Sequence, residues 1–177
     1  MPTLHLLGTG AAVSEPHRTT TMLAVADDDH PEPATLLIDC GSDALQRLRE
    51  AGGRYEDVAG IIVTHAHPDH TSGFPLFMEK LWLSGRERPI PVIGIQSALD
   101  QVQRVWEAFA PITVDWDAPD IAFHRVDHVP GATAWDEAPW TVEASPVDHG
   151  DMPNVGVRIE HGPSGDAVAY SCDTAPT

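Results

Sequence analysis

The order of strand-like and helical segments along the 177 residues predicts an α/β sandwich in a single domain. Short β-like runs joined by turns come first, alternating strand and helix patterns follow, and strand patterns return after Pro111. This order favours a sandwich over a doubly wound parallel sheet, in which strands and helices alternate throughout. The length suits one hydrophobic core, and the apolar fraction of 42% is ordinary for a globular protein.

The strands of the first half are predicted from short runs of apolar and β-branched residues between turn signals. They cover Thr3–Leu7, Thr20–Val25, Thr35–Gly41, Gly60–Thr64 and Ile90–Ile95. A polar, proline-containing loop over 27–33 separates the second strand from the third, which favours a hairpin. The segment GIIVT is an apolar run of the kind expected for a strand buried on both faces.

Three helices are predicted from apolar spacing and capping residues. Ser42 or Asp43 can cap the first, which stops at the glycines 52 and 53. The second covers about Phe74–Leu83, and the third covers Ser97–Phe109 with Ser97 as its cap. The later candidate strands, which we expect to be antiparallel, are 112–114, 121–126, 140–147, 155–160 and 167–172.

The chain is strongly acidic, with 27 acidic and 10 basic residues and a net charge of −17. Such a charge keeps a protein soluble but makes it repel itself at low salt. One interpretation is adaptation to a salt-rich cytoplasm, because at about 1 M salt the screening length falls to roughly 3 Å. The alternative is an acidic protein without that adaptation.

The sequence predicts a cytoplasmic protein with no membrane partner. The N-terminal segment MPTLHLLGTG lacks the basic leader and cleavage site of a signal peptide. No apolar run approaches the roughly 18 residues of a membrane helix. Cys40 and Cys172 belong to no C-x-x-C pair, so we expect free thiols.

The segment HAHPDH, residues 65–70, gathers four metal-ligand side chains. In an extended backbone His65 and His67 point to the same side. Pro68 prevents a helix from running through the segment, and Asp69 and His70 then turn back towards the histidines. Neutral imidazoles and carboxylates suit Zn²⁺ well, with Mn²⁺ or Fe²⁺ as alternatives.

A chance cluster of surface histidines is the alternative explanation of this segment. Its position argues against chance, because it directly follows a fully apolar strand. In α/β proteins ligand sites lie at the carboxyl ends of such strands. The sequence therefore predicts a metal site at the end of the strand over 60–64.

The pattern His65-x-His67-x-Asp69-His70 resembles the signature of the metallo-β-lactamase-fold hydrolases. Further segments resemble the ribonuclease Z-like branch of that superfamily: LLGTGAAVSEPHRTTTMLAV, LLIDCGSDALQRL, VDHGDMPNVGVRIE and YSCDT. They follow in the family's order and extend from residue 3 to residue 174. The resemblance implies the αββα sandwich of the superfamily.

The resemblance also implies a site with two divalent metal ions, for which zinc is the first choice. By position, its ligands are His65, His67 and His149 for the first metal, Asp69 and His70 for the second, and Asp173 as the bridge. Asp69 would in addition act as the general base. Asp39 would make supporting hydrogen bonds near the histidines. The remaining histidines are expected to be structural or surface groups.

Two departures from the family pattern stand out. Cys172 replaces the usual glycine of YSGDT, and strand alternation should point it away from Asp173, so we do not expect it to be a ligand. The family also has a further portion after this segment, with a last histidine for the second metal, whereas this sequence ends at Thr177. We therefore expect residues 1–177 to form a single metallo-β-lactamase-like domain that lacks its C-terminal portion.

The activity that the resemblance implies is metal-dependent hydrolysis, with a phosphodiesterase using a hydroxide between two metals as the leading hypothesis. Only 23 residues separate His149 from Asp173, too few for the arm with which tRNA-processing members grip tRNA. The acidity also disfavours RNA, whose binding depends on phosphate neutralisation. We therefore expect a small phosphodiester substrate.

The alternatives are a tRNA 3′-processing endoribonuclease acting on RNA, a lactone, thioester or sulfate-ester hydrolase, and a truncated non-catalytic metal-binding protein. A homodimer is a further alternative, since relatives often pair.

Overall fold

The structure, a computed structural model, describes residues 1–13, 15–109 and 118–175. Ten strands form two sheets in this part of the chain. The first sheet contains β1 (Pro2–Gly8), β2 (Met22–Asp27), β3 (Thr35–Ile38), β4 (Val58–Val63), β5 (Ile90–Gly94) and β6 (Ile121–Arg125) in sequence order. The second contains β7 (Ala132–Glu137), β8 (Trp140–Pro146), β9 (Val155–His161) and β10 (Ala167–Tyr170).

Within the described residues, four helices accompany the strands: α1 (Ala44–Glu50), α2 (Pro68–Thr71), α3 (Phe74–Leu83) and α4 (Gln96–Glu107). Helix α3 contacts both α1 and α4, and α4 contacts β5 and β6. The helices thus cover one face of the first sheet, while the second sheet packs on the other face. Because both faces of β3 are covered, all four of its residues are buried.

The α/β sandwich that the sequence predicts is confirmed. The second and third strands pair antiparallel as a hairpin, and β3, β4 and β5 run parallel. Asp43 is the cap of α1, since its Oδ1 accepts the Gln46 N–H at 3.0 Å. Helix α3 has the predicted bounds.

Two predictions of local structure need correction, and one strand was missed. Ser97 does not cap α4, because the chain enters the helix directly from β5 and the cap position falls on Ile95. Strand β6 is parallel to β5 rather than antiparallel to its neighbour, because helix α4 makes the crossover of a βαβ unit. Strand β7 was not predicted. The candidate strand over 112–114 lies outside the described residues.

Two polar contacts join the first sheet to the second. The Trp140 indole N–H donates to the Ala34 carbonyl oxygen at 2.7 Å, which ties β8 to the residue that precedes β3. The His161 Nε2 lies 3.1 Å from the Asp27 Oδ2, which joins β9 to β2. Among the described residues, no helix is both long enough and apolar enough to cross a membrane.

Candidate metal centre

The six predicted ligands meet at one edge of the sandwich, where strands of both sheets end. His65 and His67 follow β4, Asp69 and His70 lie in α2, His149 lies between β8 and β9, and Asp173 follows β10. His67 is extended as predicted, with φ −64° and ψ 149°. The proline does not exclude a helix altogether: α2 begins at Pro68 itself, the position where a missing N–H costs nothing.

Three histidines form the first group of donor atoms. The His67 Nδ1 lies 3.0 Å from the His65 Nε2 and 3.1 Å from the His149 Nε2. Nitrogen ligands at 2.0–2.1 Å around a tetrahedral zinc ion lie roughly 3.3 Å apart. The donor set and its spacing therefore fit a divalent metal such as zinc.

Asp69, His70 and Asp173 form the second group. The His70 Nε2 lies 3.6 Å from the Asp69 Oδ2 and 3.6 Å from the Asp173 Oδ2. The imidazole rings of His65 and His70 are 4.1 Å apart between centroids, so the two groups are adjacent. The His70 side chain is buried, whereas 40% of the Asp173 side chain is exposed, which leaves this side of the site open to solvent.

Asp39 orients the histidines of both groups, in agreement with the predicted supporting role. Its Oδ2 accepts the Nδ1–H of His70 at 2.8 Å, which leaves the His70 Nε2 free to face the two carboxylates. Thr64 donates its hydroxyl to the same carboxylate at 2.9 Å. The Thr64 oxygen can then accept the Nδ1–H of His65 at 3.1 Å, so the His65 Nε2 is left as a ligand atom.

Burial and neighbouring charged groups determine the protonation of His65 and His70. Burial, together with the nearby imidazoles of His70, His67 and His149, lowers the pKa of His65 to about 3. His65 is therefore neutral near pH 7, as a metal ligand must be. Burial also acts to lower the pKa of His70, but the hydrogen bond and the charge of Asp39 outweigh it, and the pKa is raised.

A comparison with known protein families shows to which family the chain belongs. The family described as Anti-Pycsar protein Apyc1 matches residues 2–177. The chain belongs to this family. Its similarity to curated proteins extends to a ribonuclease Z from Mycolicibacterium gilvum (strain PYR-GCK), which is 27% identical over 184 residues. That match covers 97% of this Apyc1-family chain and 61% of the relative, so the chain spans about three fifths of the relative's length.

Solved structures confirm the metallo-β-lactamase fold. Human tRNase Z, short form, matches with a TM-score of 0.78 at 19% identity, over 98% of this chain and 69% of that one. The metallo-β-lactamase fold protein YhfI from Bacillus subtilis matches with a TM-score of 0.72 at 18% identity, over 99% of this chain and 64% of that one. The two groups of donor atoms are candidate ligands for metal ions.

Cys172 of this Apyc1-family chain lies outside the strand from which its orientation was predicted. Strand β10 ends at Tyr170, and Cys172 has a φ of +57°, so strand alternation does not apply there. The Cys172 thiol turns inward to the Thr64 hydroxyl at 3.0 Å and lies 3.7 Å from the His65 Nδ1. This nitrogen faces away from His67, so the thiol sits behind the histidine. Burial raises the pKa of Cys172 to about 12, which keeps the thiol protonated.

Two buried polar residues of the Apyc1-family chain were missed as contributors to the site. Thr64 joins Asp39 to His65, and Asn154 binds the main chain at Asp173. Thr64 directly precedes His65, and Asn154 lies in the segment of His149. Threonine and asparagine are not strong metal ligands, so the sequence pattern contained no signal for either residue. Two of the remaining histidines are structural, as expected: His128 donates to the Asn154 carbonyl oxygen, and His161 pairs with Asp27.

Proposed function

We propose that the chain forms the catalytic site of a metal-dependent phosphodiesterase with two divalent ions, zinc being the first choice over manganese and iron. The observation that carries this proposal is the contact between the three-histidine group and the group of Asp69, His70 and Asp173. Adjacent sites of this kind suit phosphoryl chemistry, because both the attacking and the departing oxygen need stabilisation.

Each group of residues has a part in the proposed reaction. When bound, a pair of divalent ions makes water more acidic and balances the charge that develops on the phosphoryl oxygens. His65, His67 and His149 would hold one ion, Asp69 and His70 the other, and Asp173 would reach both. The Asp69 carboxylate would take the proton of the attacking water as the bond between phosphorus and the departing oxygen breaks.

The substrate that we propose is a small phosphodiester. The connection between β9 and β10 covers only residues 162–166, so no extended RNA-gripping arm exists in this described segment. The net charge of −17 also disfavours a polyanion at moderate salt. Arg86 and Arg88 bind the carbonyl oxygen of Val58 at the start of β4, whereas the histidines follow the end of that strand. These arginines are therefore too far away to hold a substrate phosphate.

A tRNA 3′-processing endoribonuclease is the second candidate, favoured by the similarity to curated proteins named ribonuclease Z. The two candidates differ in the size of the substrate that the site must admit. Purified protein with added Zn²⁺, Mn²⁺ or Fe²⁺ should release p-nitrophenol from bis(p-nitrophenyl) phosphate. Efficient cleavage of pre-tRNA without turnover of small diesters would favour the endoribonuclease instead.

Metal content separates an enzyme from a binding protein. About two ions per chain together with diester turnover supports the phosphodiesterase. Two ions with turnover of a lactone, thioester or sulfate ester and none of a phosphodiester would assign another hydrolase class to the same site. One ion or none, with no turnover of any of these substrates, would contradict the proposal and support a metal-binding protein.

The Asp69→Asn variant tests the proposed general base. Loss of the carboxylate should lower kcat for bis(p-nitrophenyl) phosphate by about 10²–10⁴-fold, the usual contribution of a general base. Metal content must be measured in parallel, because Asp69 is also a proposed ligand. The matched control is His30→Gln in the loop between β2 and β3, at the opposite end of β3 from Asp39, which should keep both activity and metal. An unchanged kcat in Asp69→Asn with full metal would exclude this role.

A further inference from the structure

The position of the Asp173 carboxylate depends on how its main chain is held. Strand β10 ends at Tyr170, so the sheet does not fix residue 173. Among residues 1–13, 15–109 and 118–175, no side chain or main-chain group makes a hydrogen bond shorter than 3.5 Å to this carboxylate. Its nearest charged partner is the His70 Nε2 at 3.6 Å. The contacts that anchor the segment after β10 must therefore place the carboxylate.

Asn154 provides the shortest of these anchors. Its side chain is completely buried, and its Nδ2 donates to the Asp173 carbonyl oxygen at 2.6 Å. The Oδ1 of the same amide accepts the Val155 N–H at 2.8 Å, which fixes the orientation of the amide group. A buried amide with both ends bound is costly to replace by an apolar group, since its partners lose their hydrogen bonds.

Asn154 is itself held by two neighbouring segments. Its carbonyl oxygen accepts the Val147 N–H at 3.2 Å and the His128 Nε2–H at 3.0 Å. Val147 lies two residues before His149, so the same residue contacts the segment of the third histidine. A parallel link joins the Ala175 N–H to the Asp148 carbonyl oxygen at 2.8 Å. The segments of His149 and Asp173 are thereby fixed relative to each other.

We propose that Asn154 is a positioning residue that sets the place of the Asp173 carboxylate in the group that it forms with Asp69 and His70. The inference rests on the proposed function, in which Asp173 reaches both ions. Asn154 is completely buried and belongs to neither group of donor atoms, so it would act through the main chain of residue 173. Loss of its Nδ2 donor should affect the metal held by His70 and Asp173 more than the metal held by the three histidines.

The test compares Asn154→Leu, which keeps the volume and removes the amide, with His128→Ala. The control removes the donor to the Asn154 main chain but keeps the bond from Nδ2 to Asp173. Metal-free protein of each kind is titrated with Zn²⁺ by calorimetry and with Co²⁺ by visible absorption. In Asn154→Leu the Kd of the second ion should rise by about 10–100-fold, as for other residues that support metal ligands. The first Kd should change by less than about threefold. In His128→Ala, Asn154 keeps its bonds to Asp173 and Val147, so both Kd values should change by less than about threefold.

Three outcomes would overturn the inference. One is an Asn154→Leu variant that binds both ions with the wild-type Kd values; another is an equal weakening of both ions; the third is the same loss of the second ion in His128→Ala. If Asn154→Leu does not fold, as judged by circular dichroism of the metal-free protein, Asn154→Ser removes the same Nδ2 donor and should show the same split. A wild-type chain that binds fewer than two ions would overturn the proposed function itself, whereas a normal wild type with an insensitive variant would overturn only the role of Asn154.

Discussion

Asp39 connects the histidines of both ligand groups through one buried carboxylate. Its side chain is completely buried, and it accepts hydrogen bonds from the main chain and hydroxyl of Thr64 and from the ring of His70. A φ of +64° places its backbone in the left-handed region, where aspartate and asparagine are tolerated better than most residues. The carboxylate therefore fixes which nitrogen of His70, and through Thr64 which nitrogen of His65, faces the site.

Asp39→Asn should weaken metal binding while the backbone keeps its conformation. The amide can accept on one side only, so the hydrogen bond to the Thr64 hydroxyl or to the His70 ring is lost. We expect the Kd for Zn²⁺ to rise by about 10–100-fold, measured by calorimetry on metal-free protein. The matched control is Asp28→Asn, an exposed carboxylate in the loop after β2, which should leave the Kd unchanged. Equal effects in both variants would contradict this role of Asp39.

The low pKa of His65 makes an acid-dependent contribution to the stability of the metal-free protein. The pKa is about 3 in the folded state and 6.5 for an unperturbed histidine, so the unfolded chain binds one more proton between these values. The free energy of unfolding should therefore fall as pH falls from about 6 to 4, with a slope of about 1.4 kcal/mol per pH unit from this group. Urea unfolding in EDTA measures the slope.

His65→Gln removes the titrating group and is the variant to compare. Its free energy of unfolding should vary less with pH in this range, by about the slope that His65 contributes. Other groups, such as Asp27 with its lowered pKa, titrate in both proteins and cancel in the difference. Parallel pH profiles for the wild type and His65→Gln would show that His65 titrates normally.

At the scale of elements, the site depends on a close approach between the turn after β3 and helix α2. The Cys40 N–H donates to the His70 carbonyl oxygen at 2.9 Å, and the Gly73 N–H donates to the Cys40 carbonyl oxygen at 2.8 Å. A Cβ on Gly41 would lie 1.5 Å from the Asp69 carbonyl oxygen. Only glycine lets these two backbones approach, and the approach places Asp69 and His70 at the end of β4.

Gly41→Ala should displace α2 and with it two proposed ligands. We expect a loss of stability of about 1–3 kcal/mol, as for an added group in a packed interior, together with weaker binding of the second metal. Thermal unfolding and calorimetric titration with Zn²⁺ measure the two effects. Gly162→Ala is the control, because a Cβ there meets its nearest atom at 3.6 Å and the backbone is not left-handed. An unaltered metal affinity in Gly41→Ala would show that α2 can move without cost.

Helix α3, strand β7 and the cap of α4 show which features of local structure could be predicted from the sequence. Helix α3 was predicted with its bounds because its apolar residues follow helical spacing. Strand β7 was missed because its run ATAWDE has polar residues on its outer face and few β-branched ones. The predicted Ser97 cap is wrong because the helix begins where the chain leaves β5. The cap position therefore falls on Ile95, two residues before Ser97.

At the scale of the whole molecule, the net charge of −17 should make stability depend on salt. Like charges repel in the compact state, and this repulsion is screened as ionic strength rises. The melting temperature at pH 7 should therefore increase between 0.1 and 1 M KCl, by about 2–4 °C for each kcal/mol of repulsion removed. The increase should disappear near pH 4.6, the isoelectric point of the sequence. A flat response at pH 7 would contradict the salt-adaptation interpretation.

The sequence by itself determined the fold class, the family resemblance and the six ligand candidates. Residue type and close spacing in the chain predict the four ligands of HAHPDH, whatever the tertiary structure. The family resemblance adds His149 and Asp173 by their positions in its motifs. The supporting role of Asp39 was also predicted from the sequence, since carboxylates often orient metal-binding histidines.

Only the tertiary structure decided how these residues meet and what supports them. His149 and Asp173 reach the site because β8 and β10 end at the same edge as β4, and strand pairing over long separations leaves no local signal. The inward thiol of Cys172 depends on one left-handed residue, which strand periodicity cannot reveal. The roles of Thr64 and Asn154 arise from buried hydrogen bonds to residues 25 and 19 positions away, and such partners are chosen by packing rather than by sequence pattern.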